Sequence, residues 1–364
     1  MAAEQRFARW FMAAVLWLLA GTAAAEPYLA VREGMTCSAC HVDPAGGGLR
    51  APFGNTFAQQ QLPAVPLSSD APAWTGSLAE RFLVGANARA AARQTELDDS
   101  DDNLDFGVDR VSLYLGAELG RASLYVDQQV APGGSLNRQA WAKLELGTWY
   151  NGTWYARAGR MFLPFGWRLE DDSAFVREVT GINLNQGDDG VEVGFEGAGF
   201  SWQLAATNGN GGGPEVDDGK LFSTRAAFIR PRWQAGISAY RNDTDEGQRT
   251  IVGAFFGLRT GPVTWLAEFD QVEDEGDAAD DRQEQGVGLL EANLTLKRGH
   301  NLKLTAEGVF PEGAAEDLYR FSAVYELFPW PFTQLRLGVR TRDSDADEAE
   351  LNSEEAFLQV HVFF

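Results

Sequence analysis

From Trp74 to the C-terminus, the chain alternates apolar and polar residues with a period of two. In "VSLYLGAEL", for example, Val111 and Leu113 share one face, and Ser112 and Tyr114 share the other. This is the period of a β-strand, because successive side chains of a strand point to opposite faces. The chain is therefore predicted to be all-β. One apolar and one polar face fit either a soluble sheet with a wet side or a membrane barrel with a polar lumen.

The connections between the predicted strands alternate in length. Short breaks such as "GRA" near residue 120 and "TGP" near residue 261 alternate with long polar ones such as "ELDDSDDN", "DTDEGQ" and "PFGWRLEDDSAFVREVTGINLNQGDD". Short turns at one end and long loops at the other are the pattern of bacterial outer-membrane barrels. The breaks predict about sixteen antiparallel strands over residues 74–364, an even number that places both barrel ends on the short-turn, periplasmic side.

Aromatic residues support a membrane barrel. Tryptophans beside the short breaks would form a periplasmic girdle; they are Trp149, Trp154, Trp202, Trp233, Trp265 and Trp330. The terminal "AFLQVHVFF" resembles the C-terminal insertion signal of outer-membrane barrels. If Phe364 faces lipid, His361 faces the lumen, because it lies three residues away. A soluble β-sandwich is the alternative. It would need a separate explanation for the tryptophans, for the alternating connection lengths and for the aromatic C-terminus.

The first 25 residues have the order of a secretory signal peptide. Arg6 and Arg9 precede the apolar run "FMAAVLWLLAGTAA", and a small-residue cleavage site ends at Ala25. An uncleaved membrane anchor is the alternative. After Ala25, no apolar run reaches the roughly 18 residues of a transmembrane helix. The formal net charge of −22 argues against a nucleic-acid partner, which would call for a basic face.

Both cysteines of the chain lie in "GMTCSACHVDPAGGG". Cys37, Cys40 and His41 have the C-x-x-C-H spacing of c-type haem attachment. Two thiols bond one haem covalently, and the adjacent imidazole reaches its iron as the proximal ligand. We therefore predict one haem c on Cys37 and Cys40, with His41 on the iron. A disulfide and a structural zinc site are alternatives, although only His300 and His361 remain to complete a zinc site.

Residues 26–73 are expected to form the haem segment, ending in the linker-like "PAVPLSSDAPA". This segment is too short to form a sizeable hydrophobic core by itself, so it is expected to pack against the haem and against the barrel of residues 74–364. Phe53 and Phe57 lie four residues apart on one face of a predicted short helix. They either cover a haem face or serve as ordinary packing residues.

The opposite side of the haem iron has three candidate ligands. His361 is preferred, because it is predicted to face the lumen near the periplasmic mouth, and His300 and Met161 are the others. Each could equally be an ordinary lumen or turn residue. The acidic stretches "DDSDD" and "DSDADE" offer oxygen ligands that suit ferrous iron, or they are simply solvated surface.

The sequence resembles the fused monohaem cytochrome–porins of iron-oxidising bacteria. The resemblance lies in the exported "VREGMTCSACH", the following "PFGNTF" and the barrel after them. The matching residues are Arg32, Gly34, Met35, Cys37, Cys40, His41, Phe53, Gly54 and Phe57. The glycine-rich "DPAGGG" spacer and the rather short barrel depart from the family pattern and leave the substrate open.

The resemblance implies a bacterial outer-membrane protein that passes electrons between an extracellular donor and periplasmic carriers such as soluble cytochromes. With ferrous iron as the donor, it would be an extracellular iron oxidase. The haem segment would be periplasmic or within the lumen. The alternative is a diffusion porin with a haem-bearing plug, in which Arg157, Arg336 and Arg340 would set the solute preference. A tethered haem sensor or peroxidase is a third hypothesis.

Overall fold

The structure is a computed structural model. It describes residues 26–97, 100–169, 171, 173–182, 187–215, 217–245, 247–276, 282–313, 316–344 and 352–364. The signal peptide predicted over residues 1–25 lies outside the described residues. In the described part of the chain, no helix combines the length and the apolar character that a membrane span needs.

Sixteen antiparallel strands close into a barrel, as predicted. Each strand pairs with the next along the chain, and the last pairs with the first, so closure leaves no open edge. The strands are β2 (Phe82–Leu97), β3 (Ser100–Leu119), β4 (Ala122–Ala131), β5 (Leu136–Trp149), β6 (Gly152–Phe162), β7 (Gly187–Gly197), β8 (Phe200–Thr207), β9 (Leu221–Arg230), β10 (Trp233–Thr244), β11 (Gly247–Thr260), β12 (Val263–Gly276), β13 (Arg282–Lys297), β14 (His300–Pro311), β15 (Leu318–Leu327), β16 (Thr333–Ser344) and β17 (Ser353–Phe363). A short strand, β1 (Ser77–Ala79), pairs with the start of β2.

The strands turn their apolar side chains outward. Leu113 of β3 is exposed, whereas its neighbours Ser112 and Tyr114 are buried. On the last strand, His361 is buried towards the lumen and Phe364, just beyond it, is exposed, as predicted. A soluble sandwich buries its apolar faces, so this arrangement excludes the sandwich alternative.

The two ends of the barrel differ as the sequence predicts. One end carries tight turns, and Trp149 and Trp154 stack beside one of them with ring centroids 5.5 Å apart. Two connections at the other end are shorter than expected: β2 reaches Leu97 before β3 begins at Ser100, and β10 and β11 nearly meet. The strands continue into these polar stretches although both of their faces are polar. Pairing with the neighbouring strand satisfies the backbone hydrogen-bonding groups, so a strand can extend beyond the membrane into water.

Residues 26–67 enter the barrel from the short-turn end, and we call them the plug. The plug contains α1 (Pro27–Glu33), a 3₁₀ turn over Cys37–Ala39 and α2 (Pro52–Gln60). Both α-helices begin with proline, whose missing N–H has no intrahelical partner at that position. Gly34 ends α1 at φ 66°, and a Cβ there would lie 2.7 Å from the Cα of Pro231. Only glycine fits this approach of the plug to a turn.

The longest connection folds into the lumen. We call residues 163–182 the inward loop; it contains the short helix α3 (Phe175–Glu178). Its large buried apolar side chains are Phe165, Trp167, Leu169, Phe175 and Val176. Most of them pack with Tyr28 and Val31 of the plug and with β9 and β11–β13. The structure thus corrects the prediction of a long polar outer loop, because each such side chain gains about 1.5–3 kcal/mol by leaving water.

Candidate functional site

The plug, the inward loop and the barrel wall surround a cavity of about 1220 Å³, part of which is open to solvent. We call it the plug cavity. Cys37, Cys40 and His41 all line it, so the structure brings the three motif residues to one site. Its apolar lining includes Leu29, Ala30, Phe53, Phe57, Phe162 and Trp167. A concave apolar space with a few polar groups is the usual form of a cofactor site.

The motif forms one compact turn. The backbone N–H groups of Cys40 and His41 both donate to the carbonyl of Cys37, at 3.1 and 3.0 Å. His41 then forms an antiparallel bridge with Arg50, and the N–H of Ala51 donates to the Cys40 carbonyl at 2.9 Å. The motif is therefore held between its own turn and the start of α2.

Both cysteines are free thiols, so the structure does not show the disulfide alternative. Burial raises the pKa of Cys37, against the attraction of Arg225. Burial also raises the pKa of Cys40 to about 11, against the attraction of Arg50. Each thiol is therefore neutral at physiological pH once the plug is docked.

No group of three or more His, Cys, Asp or Glu side chains suited to a metal ion occurs among the described residues. The structure therefore offers no ready zinc site in that part of the chain. The acidic stretches "DDSDD" and "DSDADE" are only partly covered by this statement. Residues 98–99 and 345–351 lie outside the described residues.

The glycine spacer after the motif has a structural role. Gly46, Gly47 and Gly48 all have left-handed φ values, of 88°, 75° and 62°. A Cβ on Gly46 would lie 3.0 Å from the Cβ of Cys37, and one on Gly48 would lie 2.1 Å from the Oη of Tyr125. Side chains other than glycine would be strained here and would collide. The glycine spacer therefore lets the chain wrap closely around the motif.

Asp43 forms ion pairs that hold the motif against the barrel. Its Oδ1 accepts from Arg157 at 3.0 Å, and its Oδ2 accepts from Arg168 of the inward loop at 3.0 Å. Burial alone would raise the pKa of Asp43, but the attraction of the two arginines outweighs burial and lowers it to about 2. Arg157 also pairs with Glu192 at 2.8 Å. Breaking a buried pair of this kind typically costs about 3–5 kcal/mol.

Other contacts spread the attachment of the plug around the barrel. Ser38, inside the motif, donates to Glu196 of β7 at 2.8 Å. Glu26 pairs with Lys303 of β14 at 2.6 Å. The N–H of Ala64, in the linker-like stretch, donates to a carbonyl of the β15–β16 turn at 2.7 Å. The first residues of that stretch therefore contact the barrel. The boundary between the haem segment and the barrel at residue 73 stays a prediction.

Phe53 and Phe57 lie on one face of α2, as the sequence predicts. Their ring centroids are 6.3 Å apart, and both rings line the plug cavity. Phe53 is 46% exposed. Phe57 packs against Leu62 and Phe328, as an ordinary packing residue does, and the covering of a haem face stays a prediction.

The three distal-ligand candidates lie in different places. His361 is buried, with Nδ1 3.2 Å from Gln334 Oε1, and its ring lies beside Phe363. Phe363 lines the plug cavity, whereas His361 does not. His300 lies at the β13–β14 turn, and Met161 is buried in a separate apolar cluster. As a ligand, His361 stays a prediction.

The sequence interpretation missed the inward-loop residues of the site. Trp167 and Arg168 line the plug cavity, as does Arg225 of β9. The indole of Trp167 donates to the carbonyl of Ala267 at 3.1 Å, and Arg225 donates to the carbonyl of Gly166 at 2.9 Å. The five large apolar residues within a supposedly polar loop were the signal that could have identified this contribution.

The donor set fits a haem c. Cys37 and Cys40 supply two thiols from one turn, and His41 supplies an imidazole from the same wall. The apolar rings suit a macrocycle, and the cations of Arg168 and Arg225 suit the carboxylates at its edge. The site therefore has the residue types that such a group needs, in one place.

No protein-family model and no curated protein match the chain. Solved structures do match it. The anion-selective porin from Comamonas acidovorans has a TM-score of 0.63 at 11% identity, covering 78% of this chain and 99% of that chain. OmpT of Vibrio cholerae gives 0.58 at 11%, covering 79% and 99%. The outer-membrane channel DcaP of Acinetobacter baumannii gives 0.56 at 12%, covering 79% and 99%. At these identities the likeness concerns the fold alone: residues 77–364 form a porin-type β-barrel.

Proposed function

We propose that this chain is an outer-membrane protein whose porin-type barrel carries one covalent haem c in its lumen. Its function is to pass electrons between an extracellular donor and periplasmic carriers such as soluble cytochromes. The observation that carries this proposal is the shared position of Cys37, Cys40 and His41 on the wall of the apolar plug cavity. With ferrous iron as the donor, the protein would act as an iron oxidase.

The outer surface of the barrel supports the membrane location. Large apolar side chains project from strands all around it; for example, Ile237, Phe321 and Leu337 are 66%, 55% and 60% exposed. Exposed apolar surface of this extent marks an interaction surface, and an outward apolar band is the feature that barrels present to lipid.

The packing of the plug favours electron transfer over free diffusion. Val31 packs towards β9–β13, Leu49 towards β2–β6, and Leu62 towards Phe328 beside the β15–β16 turn. The plug thus makes apolar contact with the wall on three sides. A lumen filled in this way leaves little room for solutes, and a redox centre inside it divides the roughly 25 Å apolar band into shorter steps.

The residues of the site have distinct roles in this proposal. The bound haem c supplies a one-electron redox centre. Cys37 and Cys40 would hold it covalently, and His41 would ligate its iron. The rings of Phe53 and Trp167 exclude water from the cavity, and burial of this kind is one of the levers that set a redox potential.

A diffusion porin is the second candidate. The comparisons support it more directly than electron transfer, because the matched structures are described as porins and channels. The lumen also holds a polar cavity of about 940 Å³, part of which is open to solvent; Arg336 and Arg340 line it, and we call it the arginine cavity. Arg157, the third predicted lumen arginine, is instead ion-paired with Asp43 and Glu192.

We also propose His361 as the distal iron ligand, because its ring adjoins Phe363 at the cavity wall. The variant His361→Ala should then lose the visible spectrum of a six-coordinate haem while keeping the covalent attachment. His300→Ala, at the β13–β14 turn, is the matched control and should leave the spectrum unchanged. An unchanged spectrum in His361→Ala would assign the sixth position to another group.

The central test uses the full-length protein purified from membranes and reconstituted in vesicles. Reduced-minus-oxidised visible spectra should show a c-type haem, and ferrous iron added at the outer face should reduce it. A c-type spectrum without any response to external donors would favour the diffusion porin. The absence of covalent haem would contradict the proposal, and free passage of small solutes would contradict the closed lumen.

A further inference from the structure

A groove opens at the short-turn end of the lumen, beside the plug, and its volume of about 1320 Å³ includes open solvent. We call it the mouth groove. Its apolar lining includes Met35, Phe53 and Phe57 of the plug. Met35 and Phe53 are 36% and 46% exposed. Large apolar side chains that stay exposed next to one another mark an interaction surface.

Cations from the plug and from two turns of the barrel also line the mouth groove. Arg32 belongs to α1, Arg259 lies beside the β11–β12 turn, and Lys297 and Arg298 lie at the β13–β14 turn. Among the described residues that line the groove, Glu33 is the one carboxylate. Four cations against one carboxylate give a positive surface on a chain whose formal net charge is −22.

Three of these cations have no carboxylate partner in the described part of the chain. Arg32 pairs with Glu33 at 2.9 Å. Arg259 and Arg298 each donate to a backbone carbonyl of the plug at 3.0 Å. Lys297 forms neither a hydrogen bond nor an ion pair with the residues that the structure describes. A carbonyl group carries only a partial charge, so the net positive charge of the groove remains.

The carboxylates behind the groove are buried and already paired. Tyr28 and Asn301, which line the groove, both donate to one of them, at 3.4 and 2.8 Å. Lys303 pairs with all three at 2.6–3.7 Å; they are Glu26, Glu291 and Glu326. Arg259, Lys297 and Arg298 are exposed instead. A molecule that approaches the mouth of the barrel therefore meets the cations first.

The strand register directs these cations towards the lumen mouth and away from lipid. Gly257, two residues before Arg259, faces the plug, because a Cβ there would lie 2.5 Å from Val31. Leu296, next to Lys297, is 53% exposed on the opposite, outward face. This orientation favours a soluble partner over a lipid headgroup.

The mouth groove and the plug cavity share part of their lining. Met35 and Phe53 line both spaces, and Met35 lies two residues before Cys37. A protein seated on the groove would therefore touch side chains that also line the proposed haem site.

We propose that the mouth groove docks an acidic soluble electron carrier, one that presents apolar surface surrounded by carboxylates. Complementary charge accelerates the encounter of two proteins, and redox partners typically form small, short-lived interfaces. One electron passes from the reduced haem to the oxidised centre of the carrier, and no bond or proton is transferred. The redox role of the partner rests on the proposed function, whereas the preference for an acidic protein does not.

The test is surface plasmon resonance with the purified full-length protein immobilised in detergent. The probe is plant-type ferredoxin, a small acidic redox protein. We expect reversible binding that weakens as salt is added, because exposed charges are screened. A wild-type protein that does not bind ferredoxin would overturn the proposal.

Lys297→Glu and Arg259→Glu should each slow the association of ferredoxin about five- to tenfold at low salt, because each reverses a charge at the contact. Arg121→Glu is the matched control. Arg121 is an exposed arginine at the β3–β4 turn of the same barrel end, and it also donates to a backbone carbonyl, at 2.9 Å. It does not line the groove. Equal association rates in all three variants would contradict the proposal.

Two further measurements exclude other causes. Mitochondrial cytochrome c, a basic redox protein of similar size, should bind Lys297→Glu at least as well as the wild type. The loss of both probes in one variant would indicate misfolding, and the other groove variant then decides. Normal ferredoxin binding by Lys297→Glu, combined with weaker retention of phosphatidylglycerol, would assign the groove to lipid and overturn the proposal.

Binding and haem content separate this inference from the proposed function. Selective ferredoxin binding by a protein that lacks covalent haem would contradict the electron-transfer function and leave the docking surface standing. Covalent haem without ferredoxin binding would contradict the docking surface and leave the electron-transfer function standing.

Discussion

The plug cavity and the arginine cavity share one lumen, but different parts of the chain build their walls. Strand side chains make most of the arginine cavity, and they are polar, as the inward face of a porin-type barrel is. The plug cavity takes most of its lining from residues 26–67 and 163–182. The barrel alone therefore provides a polar lumen, and an apolar cavity arises only where inserted segments bring their own apolar side chains.

The largest expected effect concerns the cysteines. The double variant Cys37→Ser, Cys40→Ser should lose all covalent haem, because no other thiol exists in the chain. Haem staining after denaturing electrophoresis measures the loss. Ser38→Ala, which changes only the residue between them and its bond to Glu196, is the control and should retain the haem. Covalent haem in the double variant would show that the two cysteines beside the apolar cavity do not attach it.

A second effect concerns the docking of the plug. Gly48→Ala would place a Cβ 2.1 Å from the Oη of Tyr125 at a left-handed φ of 62°. Strain and overpacking together should cost about 2–4 kcal/mol. Hydrogen exchange of the plug amides measures the loss as a lower opening free energy.

Gly120→Ala is the matched control for Gly48→Ala. Gly120 also has a left-handed φ, of 73°, but no atom lies within 4 Å of the position that a Cβ would take there. This variant should cost only the backbone strain, about 1–2 kcal/mol. Equal effects of the two substitutions on the plug amides would show that the plug is not closely packed against Tyr125.

The smallest effect concerns the inward loop at low pH. Burial alone would raise the pKa of Asp171, but Arg340 and Arg320 outweigh burial and hold it well below its ordinary value of 3.8. A lowered pKa in the folded state means that the ion pairs stabilise the loop fully above about pH 4, the ordinary pKa of the carboxyl group. Below pH 4 this stabilisation decreases gradually, and it disappears only when the pH falls below the lowered pKa of the folded state. The conductance of the barrel in planar bilayers should therefore rise reversibly under acidic conditions.

Asp171→Asn should reproduce part of this rise in conductance at neutral pH. Asp217→Asn is the control, because the Asp217 carboxylate accepts a bond from the nearby backbone of Gly219 and belongs to the β8–β9 connection. A conductance in Asp171→Asn that matches the wild type at every pH would show that the ion pairs of Asp171 do not hold the loop in the lumen.

The sequence was sufficient for the features that repeat or that lie close together in the chain. Period-two alternation predicted the strands and their outward faces, and the alternation of short and long breaks predicted which end holds the barrel termini. The spacing of Cys37, Cys40 and His41 predicted which residues lie together. These patterns are local, so one sequence contains them completely.

Contacts between distant residues were not predictable in the same way. Asp43 and Arg157 are 114 residues apart, and nothing near either residue identifies its partner. The inward loop was misassigned because its charged residues were given more weight than Trp167 and Phe175, which decide where it packs. The arginine cavity requires strands from the two ends of the barrel sequence to be neighbours, and that depends on closure.

Closure also determines when the plug can dock. The guanidinium of Arg50 lies 3.5 Å above the ring of Phe363, and Phe364 exchanges backbone hydrogen bonds with Ala86. These contacts join the start of the chain to its last two residues. Contacts over such sequence distances form slowly, because closing a long loop costs entropy before the stabilising contacts have formed. Docking of the plug is therefore a late folding event, one that waits for the final strand to be in place.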